Sequence, residues 1–371
     1  MKNALLLLAF AGFSAKGLAQ TKTTTLLVGT YTHKGHSTGI YTFSFNPADA
    51  ATAPIDSAKA SNPSFLVPAP NGRYVYAVNE DGKADGGGRL SAFRLDKGRL
   101  SFINSVPSQG DHPCYVMVDE KGRNVVVGNY SSGTVALFGV APDGGVSESL
   151  VSFNHTGSGP NKARQEAPHV HATVLSPDGD YVLVPDLGTD KVVIYRISSK
   201  NSRLDALDRS VALTPGSGPR HLDFHPNGKW AYVTQELTGT VSAFRYGKGK
   251  LEHLQEISLL ADSSRKGSSA DIHVSPDGKY LYASNRNPTN HLAIFRIDQS
   301  TGQLTPVGHQ PTGGLVPRNF SFSPDGAWLL VANQESDSIT VFKVDKVTGL
   351  LTDTGKRVAV PSPVCLQWVE K

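Results

Sequence analysis

A tight turn ending in glycine recurs along this chain at nearly even intervals. It stands at Gly72, Gly122, Gly179, Gly228, Gly278 and Gly326, spaced 50, 57, 49, 50 and 48 residues apart. Seven residues after each glycine comes Asn79, Asn129, Asp186, Gln235, Asn285 or Asn333. Short alternating runs flank the turn, as in Leu222–Phe224 before Pro226-Asn227-Gly228 and Trp230–Val233 after it. Alternation on both sides of a Gly-ended turn is the signature of a β-hairpin. A third alternating run follows each time: Leu90–Leu95, Val135–Val140, Val192–Ile197, Val241–Tyr246, Leu292–Ile297 and Ile339–Val344. A weaker, more polar fourth run follows that, as at Leu251–Leu260. Few folds accept a four-strand unit of about 50 residues repeated this often.

The count closes at seven. Leu26–Tyr31 and Ile40–Phe45 match the second and third strands of the unit without a first, and Pro363–Trp368 match a first strand with nothing after it. Joined, the termini complete one composite unit and close a ring without free sheet edges. The fold class expected is all-β: a seven-bladed β-propeller of four-stranded blades, sewn shut by a composite N-/C-terminal blade. A solenoid is the alternative, and the split terminal repeat argues against it, because solenoids end in polar caps.

Composition sets limits on partners. Hydrophobic residues make up 39% and charged residues 18% of the 371, with 37 Gly, 23 Pro and a net charge of +4. No Lys/Arg block is dense enough for nucleic acid, so no nucleic-acid partner is expected. Residues 1–19 differ from the rest: Lys2, the apolar run Ala4–Phe13, then small residues at Gly17 and Ala19. That is the pattern of a cleaved secretory signal peptide, too short to span a bilayer. The expectation is one propeller domain over 20–371, periplasmic or secreted and not inserted in a membrane. A closed ring also leaves no edge strand to pair, so a monomer is expected. Cys114 and Cys365 fall on strands separated by an intervening blade, which makes them small core residues rather than a disulfide.

Alignment on the turn glycine yields two columns at the same end of the hairpins. The first, at the opening of the innermost strand, reads Ser64, Cys114, His171, Arg220, Ala270, Arg318 and Val364. The second, at the end of the second strand, reads Glu80, Tyr130, Leu187, Glu236, Arg286 and Gln334, with Tyr31 in the composite blade. Ionisable residues concentrate in four consecutive blades, where His171, Arg220, Glu236, Arg286, Arg318 and Gln334 gather at one channel mouth. An Arg–Glu pair can be a stitching ion pair and a channel His can be structural. Three Arg and a His converging are harder to explain that way, because unpaired charge in a confined channel is costly. Arginine suits planar binding of carboxylate or phosphate, so the substrate expected is small and anionic or oxyanion-forming. His169 and His171, at i and i+2, could share a metal. Three nearby Arg and the lack of a third ligand oppose this, and neither metal nor cofactor is expected. His221, His225 and His273 are taken as structural.

Several stretches resemble one family: Val28–Tyr31, His171–Gly179, Gly218–His221 with Phe224–Pro226, Glu236-Leu237, Ser284–Arg286, and Pro317–Phe320 with Val331–Gln334. Together they are similar to the lactonase family of seven-bladed propellers. That family includes the cycloisomerase-2 type of 6-phosphogluconolactonase and the fungal carboxy-muconate lactonising enzyme. The resemblance spans essentially all of 20–371 and implies catalytic roles for His171, Arg220, Glu236 and Arg286. It implies substrate contacts for Arg318, and Gln334, His169 and Asp186 stand as further candidates for binding. A leader departs from the cytoplasmic setting of the family's phosphogluconolactonases, which leaves an unphosphorylated sugar lactone equally open. Lactone hydrolysis to the hydroxy acid is the activity expected, with His171 or Glu236 as base. Cyclisation of a muconate-type acid and a non-catalytic propeller binding glycan or protein are the alternatives, since fold alone does not decide function.

Overall fold

The computed structural model describes residues 23–33, 35–262 and 267–369. The leader expected over residues 1–19 lies outside them. Seven four-stranded antiparallel sheets follow one another in the order of the repeats. Six blades run in sequence over residues 66–107, 113–154, 174–212, 219–258, 269–311 and 317–359. The seventh is composite: Pro363–Val369 pairs with Thr24–Thr30, which continues into Gly39–Asn46 and Ala51–Lys59. No α-helix occurs among the described residues, and no helix is long and apolar enough to cross a membrane.

The repeated turn glycines all adopt left-handed backbone, with φ of 65°, 64°, 72°, 70°, 74° and 65° in chain order. Glycine alone takes that conformation without a Cβ penalty, which is why the turn ends in glycine in every blade. The Asn-type residue seven positions later is equally regular. Asn129 Nδ2 donates to Ser108 O and Thr134 Oγ1, and Asn333 Nδ2 donates to Thr340 Oγ1. Asn285 Nδ2 reaches Thr289 Oγ1. This column ties the blade-top loops to the sheet.

Burial follows the position of a strand in its blade. Second strands such as Tyr74–Asn79 and Trp230–Gln235 are buried at every residue, because their sheet is covered by a neighbouring blade on each face. Fourth strands such as Val146–Asn154 alternate toward solvent. The cores lie between blades. At the closure, Phe45 and Trp368 of the composite blade meet edge-on at 4.9 Å and pack with Leu330, Ile339 and Val341 of the sixth. Trp368 Nε1 donates to Ser321 Oγ and Trp328 Nε1 to Pro47 O across the same seam. Each fully buried side chain of this size contributes on the order of 2 kcal/mol, so the seam holds by packing as well as by the shared sheet.

Two local irregularities position the site. Five of the seven innermost strands carry a register shift near their start: at Pro113/Tyr115, Pro219/Leu222, Ser269/Ile272 and Pro317/Asn319, and opposite Gly29/Thr30 in the composite blade. The residues inside these bulges are Cys114, Arg220-His221, Ala270-Asp271, Arg318 and Val364. A bulge re-aims side chains that strict alternation would send to opposite faces. The third blade differs, because its first strand shortens to Val174-Leu175 and an isolated bridge pairs Val170 with Asp186. Pro185 accepts from His171 N at 3.0 Å but has no N–H to return, so the ladder breaks where His171 enters the channel.

Candidate active site

One carboxylate organises the channel mouth. Glu236 Oε2 lies 3.0 Å from Arg220 Nε and 3.1 Å from Arg286 Nη2, while Oε1 lies 2.7 Å from Arg164 Nη2. Burial alone would raise the Glu236 carboxyl, but Arg286, Arg220 and Arg164 together carry it down to about 2. Arg220 is almost fully buried, and burial with repulsion from Arg318 and Arg286 lowers its guanidinium to about 10. Its Nη1 donates to Ala270 O at 2.6 Å and to His221 Nε2 at 3.0 Å. Arg286 Nε donates to Ser268 O and Nη2 to Ser269 O. Nη2 of Arg220 and Nη1 of Arg286 carry no hydrogen bond to a described residue, which leaves donors for a ligand.

Arg318 stands apart. Its guanidinium lies 5.2 Å over the Tyr31 ring, and Tyr31 Oη donates to Glu80 Oε2 at 2.9 Å. It forms no hydrogen bond or ion pair with a described residue. Burial would lower its pKa, but Tyr31, Glu80 and Glu236 hold it above the ordinary arginine value. Ser64 Oγ and Gln334 Oε1, one from each column of the mouth, are buried without a hydrogen-bond partner among the described residues. Buried polar atoms without partners are uncommon in folded proteins, and at a channel mouth they suit a polar ligand.

His171 is buried and stays neutral: burial, Arg220, His221 and Arg318 all push its pKa well below the usual imidazole value. Its Nδ1 lies 3.5 Å from Cys114 Sγ, and the thiol also reaches Val170 O at 3.6 Å. Tyr130 meets the His171 ring edge-on at 5.3 Å and accepts from Arg164 at its hydroxyl. Beneath these groups Phe65 stacks on Tyr115 at 4.0 Å, and both meet His221 edge-on, at 6.1 and 5.3 Å. These three side chains come from the first, second and fourth blades, so they touch across the axis and plug the channel. These rings close the channel on one side of the charged group.

The sequence columns thus bring together His171, Arg220, Glu236 and Arg286, with Arg318 and Gln334 on the same mouth. His169 lies at its margin: the ring stacks on Tyr130 at 4.4 Å, and its nitrogens face Tyr130 O and Glu166. Asp186, expected among the binding residues, is not hydrogen-bonded to this group. It belongs to the loop-tying column, and both its oxygens are taken, by His169 N and Gly188 N on one side and His155 Nδ1 on the other. Two members of the site, Arg164 and His221, escape the columns. Arg164 rides on a segment that the even spacing cannot place, although the 57-residue interval between Gly122 and Gly179 marks the insertion. Fully buried Gln165 anchors that segment through Leu187 O and Asp190 Oδ1. Among the described residues no three His, Cys, Asp or Glu are grouped to hold a metal ion. Cys114 and Cys365 are free and buried, as expected.

Known proteins are similar to this chain over nearly its whole length. The profile of the family described as "Lactonase, 7-bladed beta-propeller" matches residues 25–368. The chain is 37% identical over 349 residues to a 6-phosphogluconolactonase of Formosa agariphila, covering 92% of this chain and 98% of that protein. It is also 37% identical over 350 residues to a 6-phosphogluconolactonase of Bacillus subtilis, covering 93% and 98%. The periplasmic gluconolactonase of Pseudomonas aeruginosa superposes with a TM-score of 0.88 at 40% identity, over 94% of this chain and 99% of that one. The chain therefore belongs to the lactonase family of seven-bladed β-propellers.

Proposed function

We propose that this protein is an exported lactonase that opens a sugar lactone to its hydroxy acid with His171, Arg220, Arg286 and Glu236 and without metal. The observation that carries the reading is the imbalance of charge at a plugged channel mouth. Four guanidiniums, of Arg164, Arg220, Arg286 and Arg318, face the carboxylates of Glu236 and Glu80, beside a neutral imidazole. Such a pocket favours a group that carries or develops negative charge. The 6-phosphogluconolactonases and the gluconolactonase among its relatives support a sugar lactone as that group.

The chemistry follows from the free atoms. A water oxygen attacks the lactone carbonyl carbon while His171 Nε2 takes the water proton, and the carbonyl π pair moves onto oxygen. Nη2 of Arg220 and Nη1 of Arg286 receive that oxyanion, each such donor supplying roughly 3–4 kcal/mol. Collapse reforms the carbonyl and breaks the bond to the ring oxygen, which takes the proton back from His171. Cys114 can accept the Nδ1 hydrogen of His171 while its own S–H turns to Val170 O, leaving the Nε2 lone pair free. Glu236, held as an anion by three guanidiniums, orients them and is a poor base at neutral pH. Arg318 and Gln334 face the remainder of the substrate.

Purified 20–371 is tested by following acid release from phosphorylated and unphosphorylated sugar lactones above the spontaneous rate. Turnover that is lost in His171→Ala and in Arg220→Ala, with folding intact, is the expected result. Hydrolysis no faster than the blank overturns the reading and turns attention to muconate-type acids and to glycan binding. The apolar run Ala4–Phe13 and the periplasmic relative support export. Cell fractionation and the mass of the mature chain test it, and an uncleaved cytoplasmic protein would refute it.

A further inference from the structure

A chain of polar contacts leaves the pocket through its floor. Arg220 Nη1 donates to His221 Nε2 at 3.0 Å, and His221 Nδ1 lies 2.7 Å from Asp271 Oδ1. The other oxygen of Asp271 accepts from Asn319 Nδ2 at 2.5 Å, from Phe320 N at 3.1 Å and from His273 Nε2 at 3.1 Å. Asn319 Oδ1 in turn accepts from Leu366 N at 2.7 Å. The contacts therefore tie the fourth blade to the fifth, the sixth and the composite blade. His273 is about a third exposed, below the aromatic plug, and its Nδ1 faces Asp223 at 3.7 Å.

The two bulges make this chain possible. Pro219 pairs with Gln235 and Leu222 with Val233, so Arg220 and His221 together oppose Thr234. Ser269 pairs with Asn285 and Ile272 with Ala283, so Ala270 and Asp271 together oppose Ser284. Thr234 Oγ1 accepts from His221 N and Ser284 Oγ from Asp271 N, which satisfies amides that the bulges remove from the ladder. Consecutive residues can then serve one network instead of pointing to opposite faces.

We propose that His221 and Asp271 are positioning residues that lock the Arg220 guanidinium in the orientation the reaction needs. The inference rests on the reading of Arg220 as an oxyanion donor. An ionised Asp271 only accepts, so His221 must carry its hydrogen on Nδ1 and present a bare Nε2 to Arg220. Arg220 is then fixed at three points: Glu236 Oε2, Ala270 O and His221 Nε2. Its remaining nitrogen, Nη2, is left for the substrate. The surroundings keep His221 in this form. Burial disfavours a second proton first, and Arg220 on its own strand and His273 from the fifth blade add to it; Asp271 favours one, while Tyr115, Phe65 and the neutral His171 ring pack alongside.

Asp271→Asn tests this with a change of almost no volume. Three donors crowd the Oδ2 side, so the new amide oxygen turns to them and its NH2 faces His221 Nδ1. That forces the hydrogen of His221 onto Nε2, against Arg220, as an isosteric carboxylate-to-amide swap does beside other buried histidines. The expected result is a fall in kcat of about tenfold to a hundredfold with KM changed far less, as for a misplaced catalytic group. In 15N NMR spectra of histidine-labelled protein, His221 should be a neutral Nδ1–H tautomer in wild type and Nε2–H in Asp271→Asn. His221→Gln, whose amide oxygen can replace Nε2 as acceptor, should retain more kcat than His221→Phe. Wild-type kcat in a folded His221→Phe, or an Nε2–H tautomer in the wild type, overturns the proposal. If Asp271→Asn or His221→Phe does not fold, the wild-type tautomer and His221→Gln still decide it. Absence of lactone turnover in the wild type would instead sink the functional reading, while the tautomer would still test the contact chain independently.

Discussion

Arg164 Nη2 lies 2.7 Å from Glu236 Oε1, although 72 residues separate them in the chain. The arginine arrives from the inserted segment before the third blade, and its side chain is 43% exposed against 6% for Glu236. It is therefore the outer member of the arginine trio and covers the pocket from the solvent side. Arg164→Ala should change stability by no more than about 1 kcal/mol, because a half-exposed pair is screened by water. KM for an anionic lactone should rise about tenfold, the equivalent of one charged contact. Steady-state kinetics together with urea denaturation would check both halves.

Glu236→Gln removes the carboxylate that Arg164, Arg220 and Arg286 share. Three guanidiniums would then face one another with no anion between them. Breaking such a buried pair costs about 3–5 kcal/mol, read as a lower denaturant midpoint. Added phosphate or a lactone-derived acid should restore part of that stability by occupying the same ring of donors.

Arg318 makes the opposite case. It has no ion pair to lose among the described residues, and it repels Arg220 and Arg286. Tyr31, Glu80 and Glu236 nevertheless favour its charge, so Arg318→Gln should lower stability by about 1 kcal/mol, far less than the loss of Glu236, while KM for a negatively charged lactone rises about tenfold to a hundredfold. A neutral lactone should lose much less, so the ratio of the two KM values identifies which substrate arm Arg318 meets. Equal losses on both substrates would refute a charge-reading role.

Asp186→Ala separates a structural residue from a binding one. It leaves His169 N and Gly188 N without acceptors and frees His155. The expected cost is about 3 kcal/mol of stability, for the loss of buried charged hydrogen bonds. At temperatures where the variant stays folded, KM should remain that of the wild type.

Stability should also respond to pH on both sides of neutrality. His171 and His221 are held neutral in the fold, His221 down to about 4, whereas an unfolded histidine takes its proton near 6.5. Below about 6.5 the unfolded chain binds more protons at these two sites, so they lower stability progressively on acidification. His273 works in the other direction. Burial opposes its charge, but Asp271 raises it to about 10, so its stabilisation is complete below about 6.5 and fades as pH rises toward 10. Denaturation midpoints between pH 5 and pH 9, on either side of the unfolded histidine value, would show the two limbs. His221→Gln should flatten the acid limb alone.

The architecture is legible in the chain alone, because the information for it is local and repeated. Each turn needs left-handed backbone, only glycine supplies it cheaply, and the regular spacing of six such glycines counts the blades. The half-units at the termini already specify the composite blade, and the column register places His171, Arg220, Glu236, Arg286 and Arg318 at one mouth. Whatever departs from the repeat depends on the closed ring. Alternation assigns His221 to the face opposite Arg220, but a bulge puts both side chains into one network, and a bulge depends on pairing with Thr234 rather than on the strand's own residues. Asp186 stands in the sequence as a candidate for binding, whereas in the fold its oxygens accept from His169 N and Gly188 N and face His155 Nδ1. Arg164 belongs to no column, and its pairing with Glu236 arises only when the inserted segment closes back over the ring. Period and turn chemistry act over a few residues and survive in the sequence, whereas the direction of a bulged side chain and the partner of an inserted one are set by neighbours that only the closed ring brings near.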